Sequence, residues 1–347
     1  MKKTLVLFAT LLFSANLCVN CAIGQERTPL ITKNFKASSL KAVEASTSGG
    51  SLTVSGYAGS EAVVEVFVTP NSGRNNWSAQ RIQQTLEENY ILDIKLEGGT
   101  LYAVAKPKSN FSGWNRSGLS IAFKISVPQE VNTHLRTSGG SIRINNLSGS
   151  QDFATSGGSL TVEQVSGKIV GRTSGGSIRL KASGDIIDVK TSGGSITAED
   201  CNGTINLMTS GGSLKMSNLS GTIQATTSGG SISASSLKGT LKTGTSGGSV
   251  RLEGISGNVE ASTSGGSMTV WMESVRDYVK LSNSGNLSLT LPSGMGYNLK
   301  ARGERVETSG LKDFSGSIET RNIEGKVGNG GPQIEVRSSN RVTLRFE

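Results

Sequence analysis

TSGGSLTVEQVSGKIVGR (Thr155–Arg172) runs without a gap into TSGGSIRLKASGDIIDVK (Thr173–Lys190), and both stretches open on the same five letters. The pentapeptide begins at 137, 155, 173, 191, 209, 227, 245 and 263, eight copies always eighteen residues apart. A further copy stands at Thr47, ninety residues before Thr137, but the residues between them do not keep the pattern and give no reason to join it to the array. Self-similarity at a fixed period of this length marks a repeat architecture.

With Thr as the first place, aliphatic residues fall at the sixth and eighth places, as in Ile142/Ile144, Leu160/Val162 and Ile178/Leu180. A second alternating pair fills the fifteenth and seventeenth, as in Ile187/Val189 and Ile205/Leu207, and a further apolar residue usually stands at the eleventh. Apolar-x-apolar is the period of a strand with one face buried. Nothing in the repeats recurs at helical spacing. Each unit divides into two nine-residue halves, a short strand and a corner in each.

The corners explain the pentapeptide. A chain that turns back on itself needs residues that tolerate positive φ, and Gly-Gly supplies them. Stacked Ser and Thr hydroxyls can bond corner backbone. A phosphate cradle would need a Lys-Ser/Thr ending and a following helix, and calcium-binding nonapeptide rolls an aspartate in each glycine corner. TSGGS has neither. The expected fold is all-β: a right-handed parallel β-helix (β-solenoid) with 18-residue coils, two short strands per coil, and an N-terminal capping region containing one helix.

The expected organisation is a signal peptide at 1–24, an N-terminal β-rich region at 25–136, regular TSGGS coils at 137–280, and degenerate coils with a cap at 281–347. WSAQRIQQTLEENY, 77–90, reads as the capping helix, with Ile82, Leu86 and Tyr90 on one face. Lys2 and Lys3, the apolar run Leu5–Leu12 and Ala22-Ile-Gly24 form an export signal, so the expected location is periplasm, outer-membrane surface or extracellular space, with no transmembrane segment after cleavage. Cys18 and Cys21 do not follow the small residue that lipid attachment would require. Loss of two lysines and no acid with the signal lowers the formal charge from +9 to +7, an excess suited to anionic partners. Only Cys201 would remain, so no internal disulfide framework is expected.

Chemistry is sparse. The one histidine, His134, has no acidic or nucleophilic companion nearby in sequence, and Cys201 occupies an aliphatic place. No metal-ligand spacing, cofactor motif or carboxylate cluster stands out, so neither an enzyme nor a metal is expected. Interleaved aromatics are lacking for nucleic acid. The seventh place instead alternates cations with hydroxyls: Arg143, Thr161, Arg179, Thr197, Lys215, Ser233, Arg251, Thr269. Arg143, Arg179, Lys215 and Arg251 are the candidate ligand-binding residues, diluted by acids at the ninth place (Glu163, Glu199, Glu253). Their expected partner is a cell-surface or extracellular polysaccharide, or an envelope protein.

The export signal, the TSGGSΦxΦ…SGxΦxΦ units and the closing strands, over about residues 30–347, resemble the bacterial "putative adhesin" family of β-strand-repeat domains, of unknown function and related to auto-transporter adhesin head domains. The resemblance implies a parallel β-helix at the cell envelope and brings no catalytic residues. The expected function is therefore non-enzymatic adhesion or surface interaction. Alternatives are a glycan-processing enzyme on a β-helix, or an ice-binding protein using Thr and Ser columns.

Overall fold

The computed structural model describes residues 28–71, 77–108 and 118–347. The export signal, with Cys18 and Cys21, lies outside the described residues.

Ile142, Leu160, Ile178, Ile196, Leu214, Ile232, Val250 and Met268 pair in that order, each strand parallel to the next and eighteen residues on. Ile169, Ile187, Ile205, Ile223, Leu241 and Val259 form a second such row. Both rows are buried in one continuous core. Each fully buried side chain of this kind contributes about 1.5–3 kcal/mol. A one-residue slip would turn every one of them outward, so the apolar alternation fixes the register.

The corner is held by threonine. Thr155 Oγ1 donates to the Gly140 carbonyl of the preceding repeat at 2.8 Å and accepts from the Gly158 N–H at 3.2 Å. The same two bonds recur at the other seven threonines of the array, for example Thr173 and Thr191, and all eight side chains are buried. TSGGS is thus a corner, but its glycines are not there for positive φ, which none of these pairs adopts. The second glycine is needed for clearance. A Cβ on Gly158 would lie 1.9 Å from the Gly140 oxygen, whereas one on Gly157 would meet nothing closer than 3.7 Å. Positive φ belongs to the other corner, at the thirteenth-place glycines (Gly167, φ 96°) and at tenth-place residues that are mostly not glycine (Gln164, φ 54°; Asn218, φ 52°).

All-β holds, but the expected right-handed parallel β-helix with two short strands per coil and a helix-bearing cap does not, on three counts. First, the tenth-place residue is a one-residue kink that the pairing passes over, from Glu163↔Asn145 directly to Val165↔Leu147. Ile142–Thr155, Leu160–Thr173, Ile232–Thr245 and Val250–Thr263 are therefore single 14-residue strands, and only the middle repeats divide into two. Second, the chain does not wind in sequence order at either end. Ala42–Thr47 and Leu52–Tyr57, which flank the Thr47 corner, pair in parallel with Asn132–Thr137 and Ile142–Thr155 on one side. On the other they pair with Thr100–Pro107 and Leu119–Pro128. The Thr47 copy belongs to the array after all: Thr137 Oγ1 donates to Gly50 O at 2.9 Å. Third, antiparallel strands rather than the helix close the end. Glu61–Pro70 pairs with Leu119–Pro128, Ile31–Lys36 with Glu61–Pro70, and Tyr90–Glu97 with Thr100–Pro107.

The helix spans Ala79–Asn89, with Ser78 Oγ accepting from the Arg81 N–H. It packs by Leu86 beside strands Glu61–Pro70, Tyr90–Glu97 and Leu119–Pro128. At the far end, Met268–Asn283 pairs with Leu287–Leu291 and Gln333–Ser338. The last strand, Arg341–Phe346, lies between Leu287–Leu291 and Arg305–Ser309. Beyond Gln333–Ser338 come Tyr297–Arg302 and then the antiparallel strands Asn322–Val327 and Phe314–Ile318. The whole is one 26-stranded sheet, mainly parallel and closed around a single core, with outer antiparallel strands at both ends and one helix. The antiparallel strands cover the parallel strands Thr100–Pro107, Leu119–Pro128 and Tyr297–Arg302, while Arg305–Ser309 is paired as a strand with Arg341–Phe346 alone.

Candidate ligand-binding strip

Residues two apart on a strand share a face, so the fifth, seventh and ninth places point outward together. The fifth place is a serine column, tied in places by a backbone N–H donating to the preceding Oγ (Ser159 to Ser141, 3.2 Å; Ser213 to Ser195, 3.1 Å). Beside it the seventh places pair in unbroken register: Arg143, Thr161, Arg179, Thr197, Lys215, Ser233, Arg251, Thr269. The structure brings all four predicted cations into one row, each exposed. At about 4.8 Å per strand, neighbouring cations stand about 9–10 Å apart.

The row is longer than the repeat array. Arg143 pairs with Thr53, and Thr53 with Lys124, so the cation–hydroxyl alternation continues to a fifth cation. Sequence reasoning missed Lys124 because it lies in the segment between the Thr47 and Thr137 copies. The signal was present: Phe123-Lys124-Ile125 has the same apolar–cation–apolar form as Ile142-Arg143-Ile144. Lys124 is paired with Glu65 at 3.0 Å at the mouth of a cleft of about 620 Å³ lined in part by Thr53, Phe67 and Phe123. Arg251 is paired with Glu253 at 3.1 Å. Arg143, Arg179 and Lys215 form no ion pair among the described residues, although Glu163 and Glu199 lie one column away.

The opposite wall is balanced differently. From the sixteenth places Lys242 and Glu260 the column continues through Lys280, Glu335, Lys300 and Glu324 across paired strands with alternating sign. Lys242 meets Glu260 and Lys300 meets Glu324, both at 2.8 Å. The hydrogen bond from Lys300 holds the Glu324 carboxyl below its ordinary value, and Glu260 raises Lys242. Arg172 binds Asp188 in the same way. Cross-strand opposite charges stabilise a sheet by themselves. The strip lacks that internal compensation in its middle three cations.

The remaining candidates fall elsewhere. His134 does have an acidic companion: Nδ1 lies 3.3 Å from Asp152, eighteen residues on, and Arg136 reaches the same oxygen at 2.7 Å. Sequence proximity could not show it, because the pairing crosses a repeat. Cys201 is buried in its eleventh-place position, and burial pushes its thiol up. The threonines of TSGGS face inward and are bonded to backbone, so they do not form the exposed column that the ice-binding alternative used. Among the described residues no group of three or more His, Cys, Asp or Glu could hold a metal ion, and no helix is long and apolar enough to cross a membrane.

No protein-family model and no curated protein matches the chain. Among solved structures it is similar to a "putative cell adhesion protein" from Clostridium sporogenes ATCC 15579, at 8% identity and a TM-score of 0.18, over 91% of this chain and 99% of that one. A "putative adhesin" from Bacteroides fragilis NCTC 9343 gives 12% and 0.24, over 91% and 96%. A "putative lipid binding protein" from Parabacteroides distasonis ATCC 8503 gives 14% and 0.30, over 92% and 97%. Two of the three carry the adhesion name that the sequence resemblance implies. At these identities and scores the likeness carries no argument about function.

Proposed function

We propose that the protein is a non-enzymatic binding protein of the cell envelope whose cationic row holds a linear acidic polysaccharide. The observation that carries this reading is the register of Lys124, Arg143, Arg179, Lys215 and Arg251, one cation on every second strand with a hydroxyl residue between them. A rigid row of evenly spaced charges suits a polymer that repeats its own charge along its length. The intervening Thr and Ser hydroxyls and the flanking serine column supply hydrogen-bond partners for sugar hydroxyls. Cations about 9–10 Å apart stand near one Debye length, so they repel one another little in physiological salt and still act together on a polyanion. Placement at the envelope rests on the export signal read in the sequence.

The test is binding of polygalacturonate to the wild-type chain and to a variant with Arg143, Arg179, Lys215 and Arg251 changed to serine. Each exposed ionic contact is worth about 0.2–1 kcal/mol, so the four together, about 0.8–4 kcal/mol, should weaken binding between about fourfold and several hundredfold. Unchanged affinity would reject the reading.

A further inference from the structure

We infer that Trp271 is a sugar-stacking subsite at the C-terminal end of the cationic row, which makes the row's ligand a polysaccharide rather than a phosphate polymer. The inference rests on the reading of the row as a polyanion site. Trp271 occupies the ninth place of its repeat, two residues beyond Thr269, and shares its outward face. The ninth places of the preceding repeats are Asn145, Glu163, Lys181, Glu199, Ser217, Ser235 and Glu253, all polar. At Trp271 the column changes to the largest apolar side chain there is, and leaves it 50% exposed.

Among the described residues no aromatic ring or cation stacks on the indole; ring contacts are found at Trp77, Tyr102, Tyr278 and Tyr297. Its surroundings continue the row instead. Arg251 lies one strand before it, paired across to Thr269, and Arg345 lies two strands after it through Thr290. Arg345 Nη1 reaches Ser288 Oγ at 3.4 Å, so its guanidinium lies over the same face. A polymer following the seventh-place cations therefore meets an exposed aromatic face between two arginines. A pyranose ring presents an apolar face of C–H bonds, and the negative face of an indole attracts it. A phosphate chain presents no such surface. Nucleic-acid bases do, but they stack on successive aromatics along a groove, and this face offers one.

The experiment compares Trp271→Ala, the four-serine row variant and the wild-type chain against three probes: polygalacturonate, long-chain inorganic polyphosphate and single-stranded oligo(dT). Trp271→Ala should weaken polygalacturonate binding about tenfold and leave polyphosphate within twofold, while the row variant weakens both. Tryptophan fluorescence of the wild-type chain should change with polygalacturonate, and that component should vanish in Trp271→Ala. Because half of Trp271 is exposed, the variant should still melt cooperatively, within several degrees of the wild type. If the row variant loses binding but Trp271→Ala does not, the subsite is overturned and the row stands. Equal losses of polygalacturonate and polyphosphate in Trp271→Ala would also overturn it. Binding of oligo(dT) more tightly than polygalacturonate, with the same dependence on Trp271, would replace the sugar with a nucleobase. If the row variant binds polygalacturonate like the wild type, the row itself fails.

Discussion

The Thr173 hydroxyl donates to the carbonyl of Gly158 in the preceding repeat, 2.8 Å away, and accepts the N–H of Gly176 in its own corner. One buried side chain thus satisfies a donor and an acceptor that belong to two successive repeats. Thr173→Val keeps the shape and removes both bonds, leaving the Gly158 oxygen and the Gly176 N–H without that partner. The expected cost is about 1–3 kcal/mol, read as a lower urea midpoint. Thr173→Ser should recover most of it.

The two glycines of a corner should differ sharply. Gly158→Ala drives a Cβ to within 1.9 Å of the Gly140 oxygen, a backbone atom that cannot turn aside, and overpacking of this kind costs about 1–3 kcal/mol or more. Gly157→Ala meets only ordinary contacts, and its effect should stay within about 0.5 kcal/mol. Thermal melts of the two single variants make the comparison.

Tyr297 is enclosed at the C-terminal end, its O–H donating to the Pro292 carbonyl at 2.8 Å, and burial pushes its phenol from 10.0 up to about 12. The folded chain therefore keeps this proton between pH 10 and 12, where the unfolded chain has lost it. Stability from Tyr297 is present below pH 10 and falls as the pH rises through that window. An alkaline titration of tyrosinate absorbance should show one late component, missing in Tyr297→Phe.

Cys201 lies in the core with its Sγ–H directed to the Glu199 carbonyl at 3.2 Å, and burial disfavours its thiolate. Alkylation mapped by peptide mass spectrometry should leave Cys201 unmodified in the native protein and label it readily in denaturant. Rapid native labelling would contradict the burial.

The regular part of this structure was legible because Ile142, Leu160, Ile178 and their successors repeat at a fixed interval, and an interval is visible in a single sequence. The row of Arg143, Arg179, Lys215 and Arg251 was legible for the same reason. What escaped is what the interval does not encode. The sequence between Tyr57 and Asn132 does not keep the eighteen-residue interval, yet Thr47 pairs beside Thr137 and Lys124 joins the row through long-range register. The antiparallel strands that close both ends carry no periodic mark. Gly-Gly suggested positive φ, whereas close stacking of Gly158 on Gly140 accounts for the second glycine, and stacking is a property of two repeats that no single one reveals. Trp271 was readable as a break in the period, but its exposure was not.

If the row holds the polymer, its position and not the net charge of the chain sets the affinity. This is tested by polygalacturonate binding to two variants of equal charge. One has Arg143, Arg179 and Lys215 changed to serine, and the other has Lys168, Lys190 and Lys238, which lie off the row, changed to serine. Loss of affinity is expected in the first variant and wild-type affinity in the second; equal losses in both, or none in either, would rule out the row as the binding site.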